Sequence, residues 1–523
     1  MNQHTFETNI IKWYPFAKNK SILQIGKNEN IKKELKEKIQ DVYEVENIKQ
    51  IDENARYDYI FIYGYEKNNE KIEKIVKHLK EDGKILIVGN NKYGINNWSK
   101  YSNVLNLEDD NNQIQGIKNV KRALKNSKLN NINTFLVFPN YTNPEIIINT
   151  KTKIENSYID KYTPYIKNDQ IKLFDERKVL KNILKENNEI IEFFSNAYFI
   201  EASKKEIEIN IKFVSYNNCR KKEYRLITII EDNIVKKIPA TVEAQEHIKN
   251  MQKTIEDVKS YDIEILDYSN NDGIYSKFLN GYKTLDEILG EKYNDLETIK
   301  SIFNEMKNLL INKSISYEEC KDKMDLKGIN LENVEKLHFL EKAFWDMIAK
   351  NCFWVDGKYI FFDQEWEAEY LPVEFLIYRS IINSYDLVKR INVDNLLESL
   401  EMLEYKEYFQ AIDNELRNKI IDKDIYNEMY ENNIIGIDNL INDKKIAEQC
   451  LEQEEKDNVK KQNYINELEE DNNKKQKYIN ELEEDSAKKQ KYIEDLETDR
   501  KSKEEYIKIL EEKTKRKFFW KGK

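Results

Sequence analysis

FWDMIAKNCFWVDGKYIFFDQEWE, residues 344–367, carries an aspartate and an asparagine five positions apart, Asp346 and Asn351, then two apolar runs and a further carboxylate, Asp363. The runs, 352–355 and 358–362, are joined by Asp356-Gly357, and a two-residue Asp-Gly connection between apolar runs is a strong short-range signal for a β-hairpin. The second run leads straight into Asp363, twelve residues past Asn351. This order suits phosphoryl transfer, which asks the protein for a base near an acceptor hydroxyl, for carboxylate and amide oxygens on Mg²⁺, and for a lysine on the nucleotide phosphates. Asp346 is the candidate base; Asn351 and Asp363 are the candidate metal ligands. A lone Asp-x-x-x-x-Asn says little in a chain rich in both residues, and the hairpin gives it weight. The plainer reading has Asp346 capping a helix and Asp363 ending a strand, both in water.

Upstream, β-rich apolar runs cluster at 207–214, 224–230, 233–238 and 263–267, with a helical stretch at 242–258 among them. That suits a small antiparallel sheet carrying one helix. NIVKKI, 233–238, puts Lys236 and Lys237 on opposite faces of a strand, and one of them is expected on the phosphates. Glu243 and Glu246 of the helix are both placed to pair with it; Lys237 with Glu246 is the favoured couple. Two solvated lysines on an edge strand are the bland alternative. Residues 274–289 read as strand, hinge and helix, with 275–279 bordering a nucleotide base. No glycine-rich loop precedes them. SYNNCRKK instead offers Arg220, Lys221 and Lys222, either as phosphate contacts or as a basic turn. Residues 285–445 are otherwise mainly helical.

Toward the N-terminus, 21–26, 57–64 and 84–89 read as buried strands. Between the last two, 70–80 has helical spacing, with Ile72, Ile75, Val76 and Leu79 on one face, and Asp82-Gly83 supplies a turn. Strands also fit 133–138 and 145–148. Strands alternating with helices point to a parallel sheet.

Two resemblances attach to these residues. The stretch 344–367, with LPVEFLIYR (371–379) and FFSNAYFIE (193–201), resembles bacterial kinase-like domains fused to methyltransferases in surface-polysaccharide loci. It implies ATP and Mg²⁺ as cofactors, Asp346 as base, Asn351 and Asp363 on the metal, and Lys236 or Lys237 on the phosphates. Glu365 is implied as a further metal ligand or an acceptor-side carboxylate. IIKWYPFAKNKSILQIGKNEN (10–30) and GKILIVGNNKYGINNW (83–98) resemble class I S-adenosylmethionine-dependent methyltransferases. That family has G-x-G-x-G after its first strand, and this chain keeps only Gly26; Asn28 and Asn30 would crowd the methionine part. Glu44 or Glu46 is the expected ribose partner, in a domain that reads as an inactive remnant.

The tail repeats itself. KKQNYINELEED, KKQKYINELEED and KKQKYIEDLETD recur every fourteen residues, or two heptads, and align Ile465/Leu468, Ile479/Leu482, Ile493/Leu496 and Ile507/Leu510 in one stripe. Polar residues fill the heptads between. A long helix follows, with a coiled coil and self-association through 450–515 as the expectation. KTKRKFFWKGK, 513–523, suits peripheral contact with an anionic membrane or with a partner enzyme.

Charged residues make up 35% and apolar ones 40% of the 523 positions, with net charge −11. The acidic balance argues against nucleic acid as partner. Four scattered cysteines and four scattered histidines argue against disulfide frameworks and zinc. With no apolar run near the ~20 residues of a membrane span, a cytoplasmic location is expected, peripheral at the inner face of the plasma membrane if the tail binds there.

The expected fold class is multidomain: an α/β Rossmann-like class I methyltransferase fold (1–150), a linker (151–195), an α+β protein-kinase-like fold (196–400), a helical connector (401–449), a coiled coil (450–515) and a basic aromatic tail (516–523). That order resembles the O-antigen chain-terminating kinase/methyltransferases. The resemblance implies ATP- and Mg²⁺-dependent phosphorylation of a sugar hydroxyl on a cell-envelope glycan or glycolipid, alongside glycan-assembly enzymes. Two alternatives remain: a methyltransferase with a non-catalytic kinase-like part, and a non-catalytic scaffold for glycan assembly.

Overall fold

A computed structural model describes residues 6–65, 71–99, 114–164, 173–186, 188–208, 210–279, 281–329, 331–355, 357–427 and 437–519. Asp356, Glu70 and Trp520 to Lys523, named above, lie outside them. The chain divides into two compact units, Met1–Ile437 and Asp438–Lys523.

The first unit begins with β1 (Ser21–Ile25), α1 (Glu29–Lys38), β2 (Asp41–Val45), β3 (Tyr57–Tyr63) and β4 (Leu79–Asn90). All four strands are parallel, in the order β2-β1-β3-β4. The Asn28 side chain caps α1 by accepting the Ile31 N–H, and Ile31 and Leu35 turn inward. The helix expected over 70–80 is only one α-turn, Ile72–Ile75, and one 3-10 turn, Val76–His78. It stops because β4 already starts at Leu79, which pairs with Tyr57. Asp82-Gly83 therefore lies within a strand and not in a turn. Ile72 and Ile75 are buried as their spacing required.

Next come α2 (Ile117–Asn126), β5 (Asn131–Phe138), β6 (Ile146–Asn149), α3 (Glu176–Glu186) and β7 (Ala197–Ser203). β7 corrects the sequence reading. Assigned there to the second domain, it lies between β4 and β5, antiparallel to both, and all seven of its residues are buried. A strand bonded on both edges and covered on both faces needs a mostly apolar run, and AYFIEA supplies one whose single charge, Glu201, pairs with Lys84 and accepts from Tyr14. The Rossmann-like region is thus a mixed sheet closed by a strand from beyond residue 195. The intervening 151–195 is no linker: Ile154, Tyr158, Ile159, Tyr162, Leu180 and Ile191 sit in a core.

β8 (Ile211–Tyr216), β9 (Leu226–Glu231), β10 (Ile234–Pro239), α4 (Gln245–Ser260), β11 (Tyr268–Asn270) and β12 (Ile274–Lys277) follow. Their strands are antiparallel in the order β8-β9-β10-β12-β11. β6 pairs with β5 on one side and β8 on the other, so the two regions share one twelve-stranded sheet. The run expected as a strand at 263–267 makes only an isolated bridge, Ile265 to Phe361.

The rest of the unit is helical around two small ladders: α5 (Leu285–Glu291), α6 (Leu296–Ile311), β13 (Phe339–Phe344), β14 (Cys352–Val355), β15 (Lys358–Phe361), β16 (Glu367–Pro372), α7 (Val373–Asn383) and α8 (Lys406–Ile420). β14 and β15 form the expected hairpin, and Gly357 has φ +78°, the conformation glycine adopts without strain. β13 pairs with β16. Met402, Tyr405, Phe409 and Ile420 belong to the same core as α6 and α7, so most of the expected connector is part of this body.

In the second unit α9 (Ile437–Phe519) is one helix of 83 residues. The four Ile/Leu pairs of its stripe are exposed, between 43% and 52%. In the polar heptads Lys475, Lys489 and Lys503 each pair with the aspartate four residues earlier, at 2.8, 2.7 and 2.6 Å. Among the described residues no helix is long and apolar enough to cross a membrane.

Candidate active site

Asp346 follows β13 on a loop held by α7. Arg379 of that helix donates to the Trp345 carbonyl (2.9 Å) and lies over the Trp345 ring, and Ser380 accepts from the Ala349 N–H (2.8 Å). A buried ion pair to Asp413 anchors Arg379 in turn. The Asp346 carbonyl accepts from the Ile348 N–H (2.8 Å), from Asn351 Nδ2 (3.1 Å) and from Gln364 Nε2 (3.1 Å). Asn351 is therefore oriented: its NH₂ faces the loop and its Oδ1 is left as a donor atom. The Phe362 N–H donates to the Asn351 carbonyl (2.9 Å), which ties the loop to the end of β15. There Asp363 takes φ +58°, a left-handed conformation uncommon for a non-glycine residue and met at functional sites.

Lys237, on β10, donates to Asp363 and to Glu365 Oε1 (2.5 Å). Glu365 also accepts from Arg220 and lies 3.7 Å from His247 Nε2. Its side chain is 4% exposed. Burial pushes the Glu365 carboxyl up, but Arg220 and Lys237 overcome this and hold it well below the usual carboxylate range. Lys237 mirrors it: burial lowers its pKa, and Asp363 and Glu365 raise it to about 12. Asp346 differs. It is 9% exposed, its carboxylate takes no hydrogen bond among the described residues, and burial with the nearby Glu365 charge pushes it up to about 7. A carboxyl near neutrality suits a general base. Trp366, behind the cluster, stacks on His247 (4.4 Å between centroids) and on Trp345 (5.8 Å).

The structure thus brings Asp346, Asn351, Asp363 and Lys237 together, and separates others expected with them. Glu246 is no partner of Lys237. It sits on the outer face of α4, exposed and paired with Lys249, while His247 faces inward; Glu365 supplies the carboxylate instead. Lys236 points to the other face, paired with Glu231. Arg220 turns into the cluster onto Glu365 and is not free on a loop. Glu365 is engaged by two cations, which leaves it neither a free metal ligand nor an acceptor-side group. The sequence reading passed over Arg379, although a lone cation within LPVEFLIYRSII is a signal of a buried partner. It also passed over His247.

Mg²⁺ takes one or two protein carboxylates and completes its shell with waters and substrate phosphates; Asp363, already paired with Lys237, and Asn351 Oδ1 are the oxygens this site would offer it. Among the described residues no group of three or more His, Cys, Asp or Glu is arranged to hold a metal unaided.

At the end of β1, Gly26 has φ +94°, and the polar side chains of the loop beyond are engaged by neighbouring groups. Glu44 accepts from Lys32 (2.9 Å), from Gln24 (3.2 Å) and from the Asn28 N–H (3.2 Å). Asn28 and Asn30 each donate to Glu7 at 2.7 Å. Glu46 is exposed.

No protein-family model matches the chain, and no curated protein does. About 38% of the chain has a distant structural similarity to S-adenosylmethionine-dependent methyltransferases. One such enzyme from Archaeoglobus fulgidus is 16% identical over 38% of this chain and 91% of its own, with TM-score 0.21. The plantazolicin methyltransferase BpumL, solved with SAH, is 15% identical over 38% and 80%, with TM-score 0.19. PKMT2 from Rickettsia typhi, solved with AdoHcy, is 11% identical over 76% and 89%, with TM-score 0.19. Likenesses this distant assign no activity.

Proposed function

We propose that residues 204–427 are a kinase-like phosphotransferase acting with a magnesium nucleotide. The observation that carries the reading is the junction at Asp346. One side chain, Asn351, is tied to the backbone of the candidate base, and the strand after it delivers Asp363 against Lys237. Five antiparallel strands with one helix after the third, ahead of a helical lobe, support it as a kinase-like arrangement. In this reading Asp346 accepts the proton of an acceptor hydroxyl. Lys237 neutralises phosphate oxygens, with Glu365 holding the ammonium in place of a helix glutamate. Asp363 and Asn351 hold Mg²⁺, which when bound screens the charge on the phosphates. The acceptor, a sugar hydroxyl of an envelope glycan, rests on the family resemblance alone. Asp363→Ala is expected to abolish transfer of labelled terminal phosphate from ATP while keeping the native circular dichroism spectrum; wild-type turnover in that variant rules the mechanism out.

A second reading is methyl transfer by the N-terminal region. The parallel order, β7 inserted antiparallel and Gly26 at the end of β1 favour it. The engagement of Glu44 by Lys32 and of Asn28 by Glu7 opposes it. Titration of the full chain with S-adenosylmethionine is expected to give no heat at millimolar cofactor, and saturable heat would favour this second reading.

A further inference from the structure

Between Asp363 and the salt-bridged Glu365 stands Gln364, whose side chain is buried, with the residue 1% exposed. Its Nε2 donates twice, to the Phe362 carbonyl (2.8 Å) and to the Asp346 carbonyl (3.1 Å). The first bond spans Asp363: the carbonyl before the carboxylate is held by the side chain after it. Asp363 takes φ +58°, and a non-glycine residue keeps that conformation only where its surroundings over-determine it. Asn351 completes the arrangement. Its Nδ2 donates to the same Asp346 carbonyl (3.1 Å), and its own carbonyl accepts from the Phe362 N–H (2.9 Å). The two side-chain amides and the backbone of Phe362 thus close a ring of hydrogen bonds between the loop that bears Asp346 and the strand end that bears Asp363.

A primary amide suits this place because one nitrogen brings two donors. Turned over, it would set Oε1 against two carbonyl oxygens, and a glutamate would do the same. The orientation leaves Gln364 Oε1 buried with no hydrogen bond among the described residues. A buried acceptor without a donor is destabilising, and an apolar side chain of equal length would avoid it. What the amide supplies in return is the tie between Asp346 and the residue before Asp363.

We propose that Gln364 is a positioning residue for phosphoryl transfer, which holds Asp363 in its left-handed conformation and fixes that carboxylate relative to Asp346. This rests on the phosphotransferase reading. Calorimetric titration of the full chain with ATP over a series of Mg²⁺ concentrations tests it in Gln364→Met, which keeps the length of the side chain and removes both donors with the unpaired oxygen. The Mg²⁺ concentration that supports half-maximal ATP binding is expected to rise about tenfold or more, as it does on loss of a group that orients a metal ligand. Should Gln364→Met not fold, Gln364→Asn, whose shorter amide cannot reach both carbonyls, is expected to show the same rise. A wild-type Mg²⁺ requirement in a folded variant, or failure of both variants to fold, overturns the assignment. In either case the phosphotransferase reading survives if the wild type binds ATP with Mg²⁺ and Asp363→Ala does not. If the wild type shows no Mg²⁺-dependent ATP binding, both fall together.

Discussion

A carboxyl group kept from water and given no hydrogen bond is costly, and Asp346 bears that cost beside Glu365, Asp363, Arg379 and Arg220. Its folded pKa of about 7 lies above the ordinary aspartate value, so the folded state holds a proton that the unfolded chain releases near pH 4. The associated stability is present below pH 4 and is lost as pH rises through 7. Asp346→Asn is therefore expected to stabilise the protein by roughly 1–4 kcal/mol at pH 8 and hardly at all at pH 4, as urea melts at the two values would register. The same proton sets activity: turnover should climb with pH and reach half its plateau near pH 7. Glu365 behaves oppositely. Glu365→Ala leaves Lys237 and Arg220 without their shared partner and is expected to cost about 3–5 kcal/mol, whereas Glu246→Ala, on an exposed helix face, should stay within about 0.5 kcal/mol. Equal losses in the two melts would contradict the pairing described. That Asp346, Asn351 and Asp363 converge could be read from the sequence because a loop and a hairpin bring neighbours together. The lysine's partner could not, because Glu365 lies 128 residues from Lys237 and only the fold joins them.

Elements with strict periodicity were the easiest to read. The hairpin 352–361 and the long helix follow from turn chemistry and from a fourteen-residue repeat, both local properties. The helix expected at 70–80 failed because periodicity does not report where a strand begins to pair, and Leu79 serves either element. The residues of β7 were placed with the second domain for a related reason: AYFIEA states that a segment is buried but not between which neighbours. On α9 the Ile/Leu stripe stays exposed, more apolar edge than an isolated helix usually leaves in water. Pairing with a second copy is the expected remedy. Ile479→Asn with Ile493→Asn should then lower the sedimentation coefficient of the full chain to that of a monomer, and a monomeric wild type would remove this role.

At the scale of the whole first unit, β6 makes one sheet out of two regions that sequence reading kept apart. Because β6 bonds both neighbours, the segment that follows it packs onto the face of β8–β10 that carries Phe213, Ile230 and Val235. The Rossmann-like region serves as the frame that positions this segment. Everything then rests on whether a loop amide, a strand-end carboxylate and one lysine form a magnesium-nucleotide site. Calorimetric titration of the full chain with ATP, with and without Mg²⁺, measures that directly. Saturable binding that requires Mg²⁺ and disappears in folded Asp363→Ala is the expected result; absence of heat at millimolar nucleotide, or binding indifferent to both the metal and Asp363, would contradict it.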